Sequence, residues 1–356
     1  MITKIKAQRS SIGLHADPHE FRAVQLIREG DTVRVGAWAI FPRLGKETEN
    51  LEVPQGLPAE EELRWASSIL SRRGFHGHDL SCAPPSRVCT QHVFELPPPD
   101  SGAPLELLAR AEVARERRCE PQDFQIGFWG LPQRGRTSET MAVACSKGIV
   151  DGMISAAHAA DLEVTGIDLP ELAILRGVHE QVDAVNADGE TPIHSILHVG
   201  WEHSLAIVTL GERLVYVRRI PHGASEAWEL ATERYGLSVN SARAVIGDYG
   251  FTRIDEQLER IRLSCWSGLS KRIASELDVA FAYVSHSFRM APLGRVVMSG
   301  YGATNATMHT RIDEVLGLPI LSGAPRVLAE SIPEEQSESL TPRLAYAYGL
   351  AARFDA

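Results

Sequence analysis

The stretch SILHVGWEHSLAIVTLGERLVYVRRIPHG, running from Ser195 to Gly223, decides the fold. Apolar runs at 196–199, 205–210 and 214–220 are split by turns at 200–203 and 211–213, and the last run ends before Pro221. Short β-rich runs divided by Gly-containing turns spell an antiparallel meander. The same arrangement stands near the start of the chain. There, 12–15, 21–28 and 32–41 read as strands, with turns at 16–20 and 29–31 and Pro42 as the stop. Both copies place Leu-His at the end of the first strand, as Leu14-His15 and Leu197-His198. A meander repeated at this distance predicts two similar α/β halves facing one another, their first turns meeting across a cleft.

Outward from the two meanders, helical spacing predicts helices over 59–73, from Pro104 through Val113, and over 149–160, 170–179, 225–235, 238–246 and 304–316. The longest helix spans 254–284, where Ile254, Leu258, Ile261, Cys265, Leu269, Ile273, Leu277, Phe281 and Val284 step by three or four. Further strands are expected at 80–83, 88–96, 123–130, 139–146, 164–169, 295–298 and 318–321, the last an edge strand because of Pro319. Exposed loops are read at 45–56, 133–138 and 337–342, a linker at 183–190, and a closing helix over 343–354. The strands and helices between 87 and 161 predict a small subdomain inserted in the first half.

The chain has 356 residues, enough for two cores, with 44% hydrophobic and 23% charged residues, as in ordinary globular proteins. A formal charge of −10 argues against broad attraction to nucleic acid or anionic lipid. The N-terminus lacks the apolar core of a signal peptide, and no apolar run is long enough to span a bilayer. The five cysteines (Cys82, Cys89, Cys119, Cys145 and Cys265) contain no CxxC, and suit a reducing compartment as small core residues. No nucleophile-elbow, Walker or HExxH motif occurs.

Taken together, the landmarks resemble the PilM family of type IV pilus assembly proteins, in the actin-like ATPase superfamily. They are IGLHADPHEFRAVQL at 12–26, FELPP at 94–98, MAVACSK at 141–147, ADLEVTGIDLPELA at 160–173, the meander at 195–223, MSGYGA at 298–303 and LAYAYGLA at 344–351. The resemblance implies an actin-like (ribonuclease H-like) α/β fold of two duplicated domains around a cleft. The first domain would comprise 8–86 and 162–190, closed by the C-terminal helix at 340–356. A partner-binding subdomain at 87–161 would be inserted in it, and the second domain would span 193–335. The resemblance also implies a cytoplasmic protein peripheral to the inner membrane, docked to the cytoplasmic tail of a pilus or secretion assembly protein, with self-association a further option. Mg-ATP is the cofactor the family would suggest.

The departures from the family pattern bear on that cofactor. The family's first turn carries an Asp and a Gly-Ser-rich loop for metal and phosphates. Here His15 takes the acid's position, Pro18 removes a backbone donor, and Asp17 and Glu20 add negative charge. In the second turn His198 replaces the acid, Gly200 survives, and Trp201, Glu202 and His203 replace small residues. The helix after Gly236 lacks the acidic and Lys pair that supports adenosine. Gly300, Gly302 and Ala303 keep the small-residue turn, as a nucleotide-site remnant or as an ordinary strand-to-helix turn. A degenerate nucleotide site at His15, Asp17, His19, His198, Gly200, Glu202, His203, Gly300, Gly302 and Ala303 is therefore expected, in a pseudo-ATPase scaffold.

The converging histidines and carboxylates, with His15 and His198 foremost, could instead hold a transition metal, although their spacing forms no metal motif and plain drift is the simpler reading. An active ATPase, a phosphotransferase or a metal-dependent hydrolase remains the alternative. Phe128 and Trp129 could line a partner groove between the insert and the first half, or pack as strand core. Arg110, Arg115, Arg117 and Arg118 interleave with Glu106, Glu112 and Glu116, as on a solvated helix face.

Overall fold

In the computed structural model, the structure describes residues 7–43, 57–132, 139–247 and 255–353. The loops expected at 45–56 and 133–138, and the expected first residue of the long helix, Ile254, lie outside the described residues. The first meander comprises β1 (Gln8–Arg9), β2 (Ile12–Ala16), β3 (Glu20–Glu29) and β4 (Thr32–Pro42). Helix α1 (Glu60–Arg72) then crosses to β5 (Asp79–Cys82), which pairs parallel with β2. Next come β6 (Cys89–Glu95), α2 (Leu105–Arg117), β7 (Phe124–Gly130), β8 (Glu139–Ser146) and α3 (Lys147–Ala159), whose strands form a separate sheet ordered β6-β8-β7. The chain returns through β9 (Glu163–Ile167), parallel to β5, and α4 (Pro170–Gly177).

The second meander is β10 (Ile193–Val199), β11 (Ser204–Leu210) and β12 (Arg213–Ile220). Helix α5 (Ala224–Glu229) continues into a π turn over Leu230–Arg234, where one unbroken helix was expected. Then follow α6 (Val239–Val245), α7 (Glu256–Ser287), β13 (Leu293–Gly300), α8 (Ala306–Leu316), β14 (Ile320–Ser322), α9 (Arg326–Ala329) and α10 (Glu334–Ala351). The Asp255, Asn305 and Ser238 side chains cap α7, α8 and α6 by accepting the N–H of Leu258, Met308 and Ser241. The first sheet runs β4-β3-β2-β5-β9, with β1 also on β3, and the second runs β12-β11-β10-β13-β14. The two orders correspond strand for strand, so the duplication read from the meanders extends to the whole sheet.

The expected loop at 337–342 is helical instead. Pro333 opens α10 and Glu334 and Glu335 occupy its first turn, both favourable at a helix start. Of the residues read as loop, only Glu338 is exposed, while Thr341 and Pro342 are buried inside the helix. Helix α10 lies between the two sheets. Leu344, Ala347, Tyr348 and Ala351 pack with Val24 and Leu26 of β3, whereas Ala345, Tyr346 and Leu350 pack with Ile196 of β10 and Val297 of β13.

This seat is available because small residues let backbones touch. A Cβ on Gly349 would lie 1.8 Å from the Ala173 carbonyl oxygen of α4, and one on Gly177 would lie 2.0 Å from that of Ala345. Replacing Gly349 by Ala should gain about 1 kcal/mol of helix propensity but lose more to overpacking against backbone that cannot yield cheaply. We therefore expect Gly349→Ala to lower the thermal unfolding midpoint followed by circular dichroism. A raised midpoint would refute the close α4–α10 crossing.

Candidate functional site

The first turns of the two meanders do meet. His15, at the end of β2, and His198, near the end of β10, face one another with ring centroids 6.3 Å apart, and the Tyr346 ring of α10 lies against both at 4.2 and 5.6 Å. His198 Nδ1 is 3.0 Å from Ser299 Oγ. Burial, with Arg22 and His203 adding to it, lowers His198 to about 3, and burial beside Arg22 likewise holds His15 well below its ordinary value. Both imidazoles are therefore neutral at neutral pH. His203 Nε2 meets Ser86 Oγ at 2.5 Å, and burial together with Arg219 and Arg87 lowers it to about 4. Glu202 accepts a hydrogen bond from Arg87 at 2.7 Å.

His15, Asp17, His198, Gly200, Glu202 and His203 thus line one small cavity of about 60 Å³. His19 is turned away from it and stacks on Trp201, with centroids 4.5 Å apart and planes within 6°. Gly200 is required by the turn, since a Cβ there would lie 2.5 Å from the His203 carbonyl oxygen. Among the described residues, no group of three or more His, Cys, Asp or Glu is placed to hold a metal ion.

The small-residue turn that follows β13 gives the site its character. Gly300 and Gly302 adopt φ of 80° and 63°, the left-handed region that glycine tolerates, and Ala303 is buried beside them. Between the two glycines, Tyr301 is fully buried and reaches into the first half, its hydroxyl donating to Asp17 Oδ1 at 3.2 Å. Around it stands an ionic cluster. Glu20 accepts from Arg22 Nε at 2.6 Å and from Arg343 Nη2 of α10 at 2.8 and 2.6 Å. The guanidiniums of Arg22 and Arg343 lie 4.4 and 5.3 Å from the Tyr301 ring centroid. Trp201 packs against Tyr301, and Trp228 against Trp201. The space left beside Gly300, Gly302, Ala303 and Arg343 is only about 10 Å³.

Tyr301, Arg22 and Arg343 were not among the residues singled out from the sequence. Their signal was available as charge and hydroxyl out of pattern: Arg22 within the apolar run of β3, Arg343 within a small-residue helix, and Tyr301 between two glycines.

A second, larger cavity of about 490 Å³ opens between α1, the β2–β5 edge and α3 of the insert. Its walls are mainly apolar and include Leu14, Leu63, Leu80, Ile149, Met153 and Ala156. Phe128 and Trp129 are not among them. Phe128 packs in the insert's own core with Val113 and Phe124, and Trp129 donates its indole N–H to the Leu214 carbonyl at 3.3 Å. The basic face of α2 is paired locally, Arg110 with Glu106 and Arg115 with Glu112, and the Arg117 guanidinium lies over the Phe124 ring.

The ionic cluster carries two opposite pH dependences. Burial works to raise Glu20, but the Arg343 and Arg22 guanidiniums override it and hold the carboxyl at about 2, below its ordinary 4.5. Its stabilisation is full above the unfolded value and is lost as pH falls from there towards 2. Burial instead raises Asp17 from 3.8 to about 6, against the pull of Arg22. The folded protein therefore holds that proton more tightly, and stability falls as pH rises through the window between those values. Asp17→Asn should flatten the dependence of denaturant-measured stability across that window, a change of order 2–3 kcal/mol. Glu20→Gln should cost roughly 3–5 kcal/mol at neutral pH by removing the carboxylate to which both buried guanidiniums bond.

Comparison with known proteins follows the same lines. A solved PilM–PilN type IV pilus biogenesis complex superposes with a TM-score of 0.74 at 19% identity, covering 97% of this chain and 98% of that one. The ethanolamine utilization protein EutJ from Carboxydothermus hydrogenoformans superposes with a TM-score of 0.54 at 11% identity, covering 99% and 92%. These likenesses establish the actin-like ATPase fold. No curated protein sequence matches the chain. The sequence profile of the type IV pilus assembly protein PilM matches residues 123–354, well over half of the chain. This protein belongs to the PilM family of type IV pilus assembly proteins.

Proposed function

We propose that this PilM-family protein is a binding scaffold of a type IV pilus assembly platform, with a nucleotide site closed by its own side chains. The observation that carries the reading is the Tyr301–Asp17 contact and the surrounding Glu20, Arg22 and Arg343 cluster, which fill the cleft between the halves. Pockets for small ligands usually measure about 300–1,000 Å³. Among the described residues, two cavities in this cleft are near 60 and 10 Å³, and the first is walled by Asp17 and Glu202 where phosphates would need N–H donors. Opening the cleft would break the Tyr301–Asp17 contact and withdraw the Tyr301 ring from the Arg22 and Arg343 guanidiniums, which a bound nucleotide would have to repay.

The binding work falls to the apolar groove between the first half and the insert. Its size and lining suit an extended apolar peptide, such as the cytoplasmic tail of an inner-membrane pilus assembly protein. The related solved structure is itself a complex of PilM with PilN, which supports a partner of that kind. In this reading the protein stays on the cytoplasmic side and reaches the inner membrane through its partner. No helix among the described residues is long and apolar enough to cross a membrane.

Two measurements test the reading. Calorimetric titration of chelator-treated protein with Mg-ATP should give no saturable binding tighter than about 100 μM, near −5.5 kcal/mol. Binding tighter than that would make the protein a nucleotide-switched ATPase instead. For the groove, Gly152 lines the wall on α3, and a Cβ there would meet nothing within 4 Å. Gly152→Leu should therefore fold at least as stably as the natural chain, by about 1 kcal/mol of helix propensity, while filling the groove. Loss of tail-peptide binding in this variant, read by fluorescence anisotropy, is the expected result. Undiminished binding would place the partner elsewhere.

A further inference from the structure

Cys89 and Cys145 stand directly opposite one another on β6 and β8. Cys89 donates its backbone N–H to Ser86, and its carbonyl accepts from Arg219 Nη2 at 3.0 Å. Both backbone groups therefore point away from β8, which makes this a non-hydrogen-bonded pair of the antiparallel ladder. Such pairs bring their Cα atoms to about 4.5 Å with side chains close together, within the roughly 4.4–6.8 Å that disulfides span. Both side chains are buried in one cluster with Val143 of β8 and Val150 of α3. We infer that Cys89 and Cys145 form a reversible dithiol–disulfide site that staples the base of the insert.

The place gives the cross-link its consequence. Cys89 opens the insert directly after the turn Ser86–Val88, and Cys145 is the penultimate residue of β8, next to Ser146, which lines the groove. The same turn is held by the second half, through Ser86 to His203, Arg87 to Glu202, and Arg219 to the Ser86 carbonyl. A bond between the two sulfurs would thus join the strands entering and leaving the insert where all three bodies meet, and would fix the root of α3.

The two thiols also differ in reactivity. The Cys89 thiol beside it and, against burial, the nearby Arg117 draw Cys145 towards its thiolate, while Cys89 is raised by the same contact. Burial alone pushes Cys82 up to about 12 and burial raises Cys265 to about 11, and unlike Cys145 neither stands opposite a second cysteine, Cys82 pairing with Ile167 of β9 and Cys265 lying in α7. Cys145 is accordingly the attacking group. With a small disulfide as oxidant, the Cys145 thiolate attacks one sulfur and expels one thiolate, forming a mixed disulfide. Cys89 then loses its proton and attacks the Cys145 sulfur, expelling the second thiolate. The protein loses two hydrogens, and one disulfide becomes two thiols.

The test is to equilibrate the full chain with oxidised glutathione, digest it without reduction, and map the linked peptides by mass spectrometry. A Cys89–Cys145 peptide pair lighter by two hydrogens, absent in Cys145→Ala and reversed by dithiothreitol, is expected. Free thiols or stable mixed disulfides at Cys89 and Cys145, or a cross-link through Cys82, would overturn the site. Hydrogen exchange of the α3 amides should slow at least several-fold in the oxidised protein, and unchanged exchange would overturn the stapling of α3. Any effect on the groove rests on the docking role proposed above. That role is tested separately by Gly152→Leu, so the two can fail independently.

Discussion

One buried carboxylate organises this protein. Glu20 sits at the start of β3 with almost no exposure, and its charge is tolerable there only because Arg22 and Arg343 both bond to it. A buried ion that loses its partners is far more costly than one that never had to be buried. The arrangement therefore ties the first turn of the first half to the last helix of the chain. Since α10 also packs on β10 and β13, the tie fixes the second half as well. Tyr301 completes the closure from the opposite side of the cleft, spanning from one half's glycine turn to the other half's acidic turn.

The cleft that results is an interior. His15, His198 and His203 are neutral, Tyr301 is buried against two guanidiniums, and His19, Trp201 and Trp228 pack together beside it. Such a network has little slack, because each group's protonation depends on its neighbours. The opposite shifts of Asp17 and Glu20 follow from this. Two guanidiniums bond to Glu20, whereas Asp17 receives a neutral hydroxyl and a more distant Arg22 at 3.9 Å.

The insert differs in character from this cleft. Its sheet is separate from both large sheets, it leaves the first half through one short turn and returns through α3, and the apolar groove lies along that return. The chemistry there is soft where that of the cleft is hard, with aliphatic walls, small residues on α3, and a thiol pair at the root. A filled cleft beside an apolar groove is consistent with the docking role proposed above.

How much of this was legible in the chain depends on the range over which each signal acts. The two meanders, the long α7, the inserted strands and the family were readable, because apolar periodicity and turn glycines act within a few residues. The meeting of His15 with His198 followed from the duplication itself. The polar start of α10 read as a loop, because a polar helical turn and a loop share composition. Phe128 and Trp129 read equally as groove or as strand core, because aromatic side chains suit both. Arg22, Tyr301 and Arg343 carried a local signal only as polarity out of pattern, with nothing nearby to name their partners. Each is a single polar residue in an apolar or glycine-rich setting, and its partner lies up to 323 positions away. The sequence by itself determined which segments form sheets and helices and that they come in two copies. Only the tertiary structure decided that the cleft between them is filled, because pairing a buried charge requires three-dimensional neighbours.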